Sequence, residues 1–256
     1  MYANYHTHTS RCRHADGQDE EYVLAAITGG FKTLGFSDHT PYFFPGEYYS
    51  HMRMYPPQLP EYVKSVLELR EKYADQINIK LGLEVEYYPD LFHKVLPLIR
   101  ENGIEYMILG QHWCENEMGL KPNSSASDDE ARLERYCNQI IEAMETGLFT
   151  YVCHPDVLNF TGAPEIYEKH MRRLCKTAAK LGIPLEINML GIRTDRHYPN
   201  PLFWKIAGEE GCTAVTGTDA HSPDVTVDTE SETKVLQIVK ENNLRFLEDF
   251  PLVPIK

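Results

Sequence analysis

The chain has 256 residues, 42% hydrophobic and 25% charged, with 10 Phe, 16 Tyr and 2 Trp, enough apolar area for a folded core and outside the disordered and fibrous classes. Its 38 acidic against 25 basic residues, a formal −13, argue against broad binding to nucleic acid or to an anionic membrane surface. No apolar run approaches the roughly 18 residues of a membrane span, and Met1-Tyr2-Ala3-Asn4-Tyr5 is neither basic nor apolar, so neither a transmembrane helix nor a signal peptide is expected and the cytoplasm is the expected compartment.

Short β-branched or apolar runs alternate with stretches of helical spacing about seven times. The predicted strands are Tyr2–His6, Thr33–Ser37, Ile77–Tyr87, Tyr106–Gln111, Thr150–Cys153, Pro184–Asn188 and Cys212–Thr218. Between and after them the predicted helices are Glu20–Gly29, Leu59–Ala74, Leu91–Glu101, Asp128–Thr146, Pro164–Leu181, Pro201–Glu210 and Glu230–Asn242. Pro164 suits a first helical turn, and Gly103, Gly147, Gly182 and Gly211 fall where helices should end. No linker, composition shift or internal repeat divides the chain, so residues 1–256 are read as one domain. Seven strand-helix units without a reversal favour a TIM-like α/β barrel of (β/α)7 form over an open sheet.

In such a barrel, chemistry gathers at the C-terminal ends of the strands. The predicted ends carry His6-Thr7-His8, Ser37-Asp38-His39, Glu84-Val85-Glu86, Gln111-His112, His154-Pro155-Asp156 and Thr218-Asp219-Ala220-His221. Residues i and i+2 of a strand point to one side, so His6 and His8 can reach one ion, and at least one of Glu84 and Glu86 points inward. Neutral imidazoles and crowded carboxylates converging on one mouth call for cations. The set contains His, Asp and Glu but no Cys, since the six cysteines form no C-x-x-C pair and read as buried thiols. It suits Zn, Mn or Fe, and it is too large for one four-coordinate ion, so two or three divalent ions are expected.

These motifs, with Cys12-x-His14-x-Asp16-Gly17 between the first two, resemble the polymerase and histidinol phosphatase (PHP) family, and within it the histidinol phosphatase branch. The resemblance implies a distorted (β/α)7 barrel with a trinuclear centre. It implies one ion on His6, His8, Glu84 and Asp219, a second shared through Glu84 with His112 and His154, and a third on Asp16, His39 and His221. His14 is expected behind Asp16 and not on the ion. The implied activity is hydrolysis of a small phosphomonoester, best L-histidinol phosphate to L-histidinol and phosphate in histidine biosynthesis, with Glu84, Asp219 and His221 as the catalytic residues. About −3 from the three carboxylates against about +6 from three ions would attract a phosphate, and paired ions generate hydroxide near neutral pH. Related phosphoesterases acting on nucleotides or nucleic-acid ends, and a non-catalytic metal-binding module, are the alternatives.

On the substrate side, the segment after the sixth strand, Asn188 to Pro199, brings Arg193 and His197 toward the same mouth. A guanidinium forks a phosphate well, so Arg193 is expected as the clamp, His197 as its neighbour and Arg196 as a surface residue. The aromatic-rich loop from Thr40 to Met54 is expected to cover the site, with His51 or Arg53 touching the ligand. His93 and His170 are expected on helix surfaces. The expected partner is a small phosphorylated molecule, with no nucleic acid and no membrane.

Overall fold

The structure, a computed structural model, describes residues 1–255. Strands β1 (Ala3–Asn4), β2 (Thr33–His39), β3 (Asn78–Val85), β4 (Tyr106–Leu109), β5 (Tyr151–Val152), β6 (Leu185–Asn188), β7 (Thr213–Gly217) and β8 (Arg245–Phe246) pair in parallel in that order. Helices α1 (Asp19–Thr28), α2 (Leu59–Lys72), α3 (Pro89–Glu101), α4 (Glu130–Glu145) and α5 (Pro164–Leu181) follow β1 to β5 in turn. Then α6 (Met189–Arg193) and α7 (Pro201–Glu209) follow β6, and α8 (Thr229–Glu241) follows β7. The α/β barrel expected from the rhythm is there, but among the described residues seven strands become eight and seven helices become eight. A two-residue strand such as β8 shows no period, and α6 is a five-residue helix capped by Asn188 accepting from Gly191 N–H at 3.3 Å.

Helices covering one side and barrel contents the other leave β2 buried along its whole length. The sheet curls until the β1 and β7 edges meet. There His8 N–H donates to the Ala220 carbonyl at 3.0 Å, and Asn4 bonds Thr218 twice, from Nδ2 to Oγ1 at 2.8 Å and from the Thr218 N–H to Oδ1 at 3.0 Å. β8 pairs with the beginning of β7, and the chain after it runs under the barrel. Tyr5, Tyr106, Ile108, Tyr151 and Val215 fill this floor, with Phe250 and Leu252 packed against them from below. Tyr106 lies across the interior, its hydroxyl donating to the carbonyls of Tyr5 and Phe36 at 2.9 and 3.0 Å. Gly82 makes this possible, because a Cβ there would occupy the tyrosine ring. No helix among the described residues is long and apolar enough to cross a membrane.

Candidate metal centre and cleft

The opposite end of the barrel is polar and buried. Glu84, on β3, is fully enclosed, and ring nitrogens of five imidazoles surround its carboxylate. His39 Nδ1 and His154 Nε2 lie at 2.9 Å, His8 Nε2 at 3.5 Å, and His6 Nε2 and His112 Nε2 at 3.6 Å. Gly110 leaves room for this, since a Cβ there would overlap the Glu84 carboxylate. Asp219 stands beside the same group, its Oδ1 3.2 Å from His8 Nε2, 3.3 Å from His221 Nδ1 and 3.5 Å from His6 Nε2. His154 and Asp219 hold backbone φ of 32° and 48°, in the left-handed region that side chains other than glycine seldom adopt. Such strain collects at functional sites.

A further layer of carboxylates faces the outer nitrogens of these rings. Glu186 Oε1 takes a hydrogen bond from His6 Nδ1 at 2.9 Å, Glu86 Oε1 one from His112 Nδ1 at 3.1 Å, and Asp38 Oδ1 lies 3.6 Å from His8 Nδ1. For His6 and His112 the Nδ1–H is thereby committed, and the Nε2 lone pair faces Glu84 and, for His6, Asp219. The sequence pairs Glu84 with Glu86 as alternatives; the structure places Glu84 among the imidazoles and Glu86 behind one of them. Asp38 and Glu86 carried a signal after all, as acidic residues one or two positions from a strand-end ligand type, whereas Glu186 has no such neighbour.

Hydrogen bonds within the chain leave much of this cluster unsatisfied. His6 Nε2, both nitrogens of His8, Glu84 Oε2, Asp219 Oδ1 and His221 Nε2 are buried without a hydrogen-bond partner. For His6, burial works against the charged ring, yet Glu186 and Asp219 carry it up to about 10. Burial and the neighbouring His8 instead push His221 down to about 2, and burial lowers His39 to about 3 despite Glu84. Inward-facing lone pairs around two carboxylates are the donor set of divalent N/O-ligand metals, and the residues present fit such ions. His6, His8 and Asp219, and likewise His8, His39 and Glu84, bring ligand atoms within 4.8 Å of one another.

One further trio is His14, His39 and His221. His14 lies over His221 and His39 with ring centroids 4.7 and 5.3 Å away, its Nδ1 donating to the Cys12 carbonyl at 2.9 Å. Asp16 and His14 are both exposed, but of the two only His14 lines the cleft. The expectation of Asp16 near the ions with His14 behind it is thus reversed in space: the turn after Cys12 aims the His14 ring at the cleft beside His39 and His221, and Asp16 lies outside the cleft lining.

The cluster floors a cleft of about 380 Å³ whose walls are apolar and aromatic: Met52, Trp113, Val157, Leu190 and Tyr198. Arg196 is exposed, as expected of a surface residue, yet it lines the cleft, and its Nη1 donates to the Tyr198 hydroxyl at 3.0 Å. Arg193 does not line it. Its Nη2 donates to the carbonyls of Thr218 and Asp219 at 2.8 and 2.9 Å and its Nη1 faces Asp228 at 3.4 Å, which occupies the fork with the β7 end. His197 lies off the cleft, its Nε2 donating to the Val157 carbonyl at 2.8 Å. His51 is exposed outside the cleft, and Arg53 is buried behind its wall. His170 is buried against Glu130 and not a surface residue.

The PHP domain matches residues 4–189. The chain belongs to the PHP family. Within this family it is 30% identical to a probable histidinol-phosphatase of Deinococcus radiodurans over 85% of each chain. It is 25% identical to a probable histidinol-phosphatase of Schizosaccharomyces pombe over 85% of this chain and 80% of that one. In fold, the PHP chain superposes on the crystal structure of histidinol phosphate phosphatase from Lactococcus lactis, complexed with Zn, L-histidinol and phosphate, with a TM-score of 0.74 at 20% identity, covering 97% and 96% of the two chains.

Proposed function

We propose that this chain is a metal-dependent phosphatase that hydrolyses L-histidinol phosphate to L-histidinol and phosphate, a step of histidine biosynthesis. The observation that carries the reading is Glu84, a buried carboxylate at the base of an apolar-walled cleft with five imidazoles around it and unpartnered nitrogens aimed inward. The family and the relatives named histidinol-phosphatase supply the substrate.

Two to three divalent ions suit the donors. His6, His8, Glu84 and Asp219 would hold one, Glu84 with His112 and His154 a second, and His14, His39 and His221 a third. Ions bound there supply Lewis acidity and offset the charge of a phosphate. The chain's own groups do the rest. Glu84 and Asp219, with His221, fix where the reacting phosphorus sits. Arg196 at the rim is the guanidinium placed to fork the phosphate oxygens, a role the sequence reading gave to Arg193. Arg193 holds the Thr218 and Asp219 carbonyls and so supports Asp219 in its left-handed conformation. Met52, Trp113 and Leu190 exclude water from the organic part of the substrate. All six thiols are unpaired, which suits the reducing cytoplasm.

The test is phosphate release from histidinol phosphate, nucleoside monophosphates, sugar phosphates and an aryl phosphate, alongside elemental analysis of the purified chain. Two to three ions per chain, loss of activity on chelation and a preference for histidinol phosphate are expected. An active preparation with one ion or none, or a nucleotide preferred over histidinol phosphate, overturns the reading.

A further inference from the structure

The long loops after β2 and β4 meet over a buried ion network to which the proposed chemistry assigns no part. Arg53 is 1% exposed, and among the described residues no other Lys or Arg side chain is buried. Its Nη1 and Nη2 donate to Glu86 Oε2 and Oε1 at 2.8 and 3.0 Å, a forked pair. Nη2 also reaches Glu117 Oε2 at 2.5 Å, and Nη1 the Thr40 carbonyl at 3.1 Å. The Tyr42 hydroxyl donates to the Glu86 carbonyl, and its ring lies 5.6 Å from the guanidinium carbon. The Glu86 oxygen that takes Nη2 is the one that takes Nδ1–H of His112 at 3.1 Å. Burying a cation and two carboxylates is a poor route to stability, because desolvation offsets much of the pairing. What the network does is hold directions. It spans Thr40 and Arg53 of one loop, Glu86 at the end of β3, and Glu117 of the other loop. Met52, next to Arg53, and Trp113, next to His112, form part of the cleft wall.

We propose that Arg53 is a positioning residue that acts at two places. By fixing Glu86 it holds the His112 ring with Nε2 toward Glu84, and by tying Glu117 and Thr40 together it holds the two loops that wall the cleft. The proposal rests on the metal-dependent reading above.

The full-length chain, stripped of metal, is titrated with Mn²⁺ against a chelator of known affinity, as wild type, Glu86→Gln, Arg53→Lys and Glu117→Gln, with circular dichroism and melting temperature for each. Glu86→Gln should weaken one class of bound ion by roughly 10- to 100-fold, the usual cost of losing an outer carboxylate partner. Arg53→Lys keeps the charge but loses the fork and should weaken the same class less. Glu117→Gln cuts only the tie between loops, so metal affinity should stay at the wild-type value while KM for histidinol phosphate rises and kcat holds. If Glu86→Gln does not fold, Arg53→Lys decides the metal arm by the same criterion. Wild-type affinity in both variants, with only the melting temperature lowered, overturns the role at His112; an unmoved KM in Glu117→Gln overturns the role at the wall. The metal titration uses no substrate. A wild-type chain that binds Mn²⁺ and loses affinity in Glu86→Gln, yet releases no phosphate from histidinol phosphate, keeps this proposal and defeats the functional reading. Normal turnover with unmoved affinity does the reverse.

Discussion

The two ends of the barrel solve opposite problems with the same strands. At the floor, Tyr5, Tyr106 and Tyr151 meet one another and Phe250, and the Tyr106 hydroxyl has two carbonyl acceptors. At the mouth, His6, a single residue beyond Tyr5, enters a group where ring nitrogens and carboxylate oxygens are buried without partners. Every unmet polar group costs about 1–3 kcal/mol, so the mouth is held in place at the expense of stability that the floor and the helix layer supply. The division matches the general layout of βα barrels, stability below and chemistry above.

The sharpest way to test this division is at Glu84. Glu84→Gln removes the charge that all five imidazoles share, so metal content and turnover should fall together, turnover by roughly three orders of magnitude or more, while the melting temperature of the metal-free protein moves little. Gly110→Ala should mimic it from the backbone, because the new Cβ must displace the Glu84 carboxylate. Metal analysis with steady-state kinetics reads both. Near-normal turnover in Glu84→Gln would move the centre elsewhere in the mouth.

A smaller effect separates the two arginines that follow β6, Arg193 and Arg196. Arg196→Ala should lower kcat/KM by roughly 10- to 100-fold, as expected for a lost charge-assisted fork to phosphate, and weaken inhibition by inorganic phosphate, with metal content unchanged. Arg193→Ala should instead disturb Asp219, through the carbonyls it holds, and so lower metal content. The opposite pattern would return the phosphate to Arg193. Assays of metal content and phosphate inhibition on the two variants decide between them.

Much of the mouth was legible because metal-ligand residue types recur at strand ends, where position along the chain nearly equals position in space. His6, His8, His39, Glu84, His112, His154, Asp219 and His221 all come together from that rule alone. Loops break it. After Cys12 the chain turns through Arg13 with φ 67°, so a two-residue spacing no longer says which of His14 and Asp16 faces inward. The same holds after α6: Arg193 still belongs to the helix and bends back to the β7 end, whereas Arg196 lies past the turn and reaches the cleft. Arg53, expected from its loop to touch the ligand, is buried behind the wall instead, since its partners Glu86 and Glu117 come from distant segments and nothing local marks it as buried. The floor was illegible for a different reason. β8 and the tail that follows it are too short for any period, and they take their shape from Tyr5 and Tyr151, not from their own sequence.

The smallest effect tests whether floor and mouth are independent. Phe250 packs on Tyr5 with ring centroids 5.0 Å apart and edge-on against Tyr151 at 5.6 Å. Its ring is half-buried, so Phe250→Ala should cost about 2 kcal/mol, below the range for a fully buried phenylalanine, and lower the melting temperature by roughly 4–8 °C in a chain of this size. The route by which this loss could reach the chemistry is Tyr5, the neighbour of His6. His6, however, is held from elsewhere: its Nδ1 by Glu186 at 2.9 Å, and its strand by the Asn4 side chain across the seam. Neither contact involves Phe250, so metal content and kcat/KM should match wild type at temperatures well below the transition. A fall in metal content in step with the melting temperature would show that Tyr5 transmits disorder from floor to mouth, and that the two are one cooperative unit.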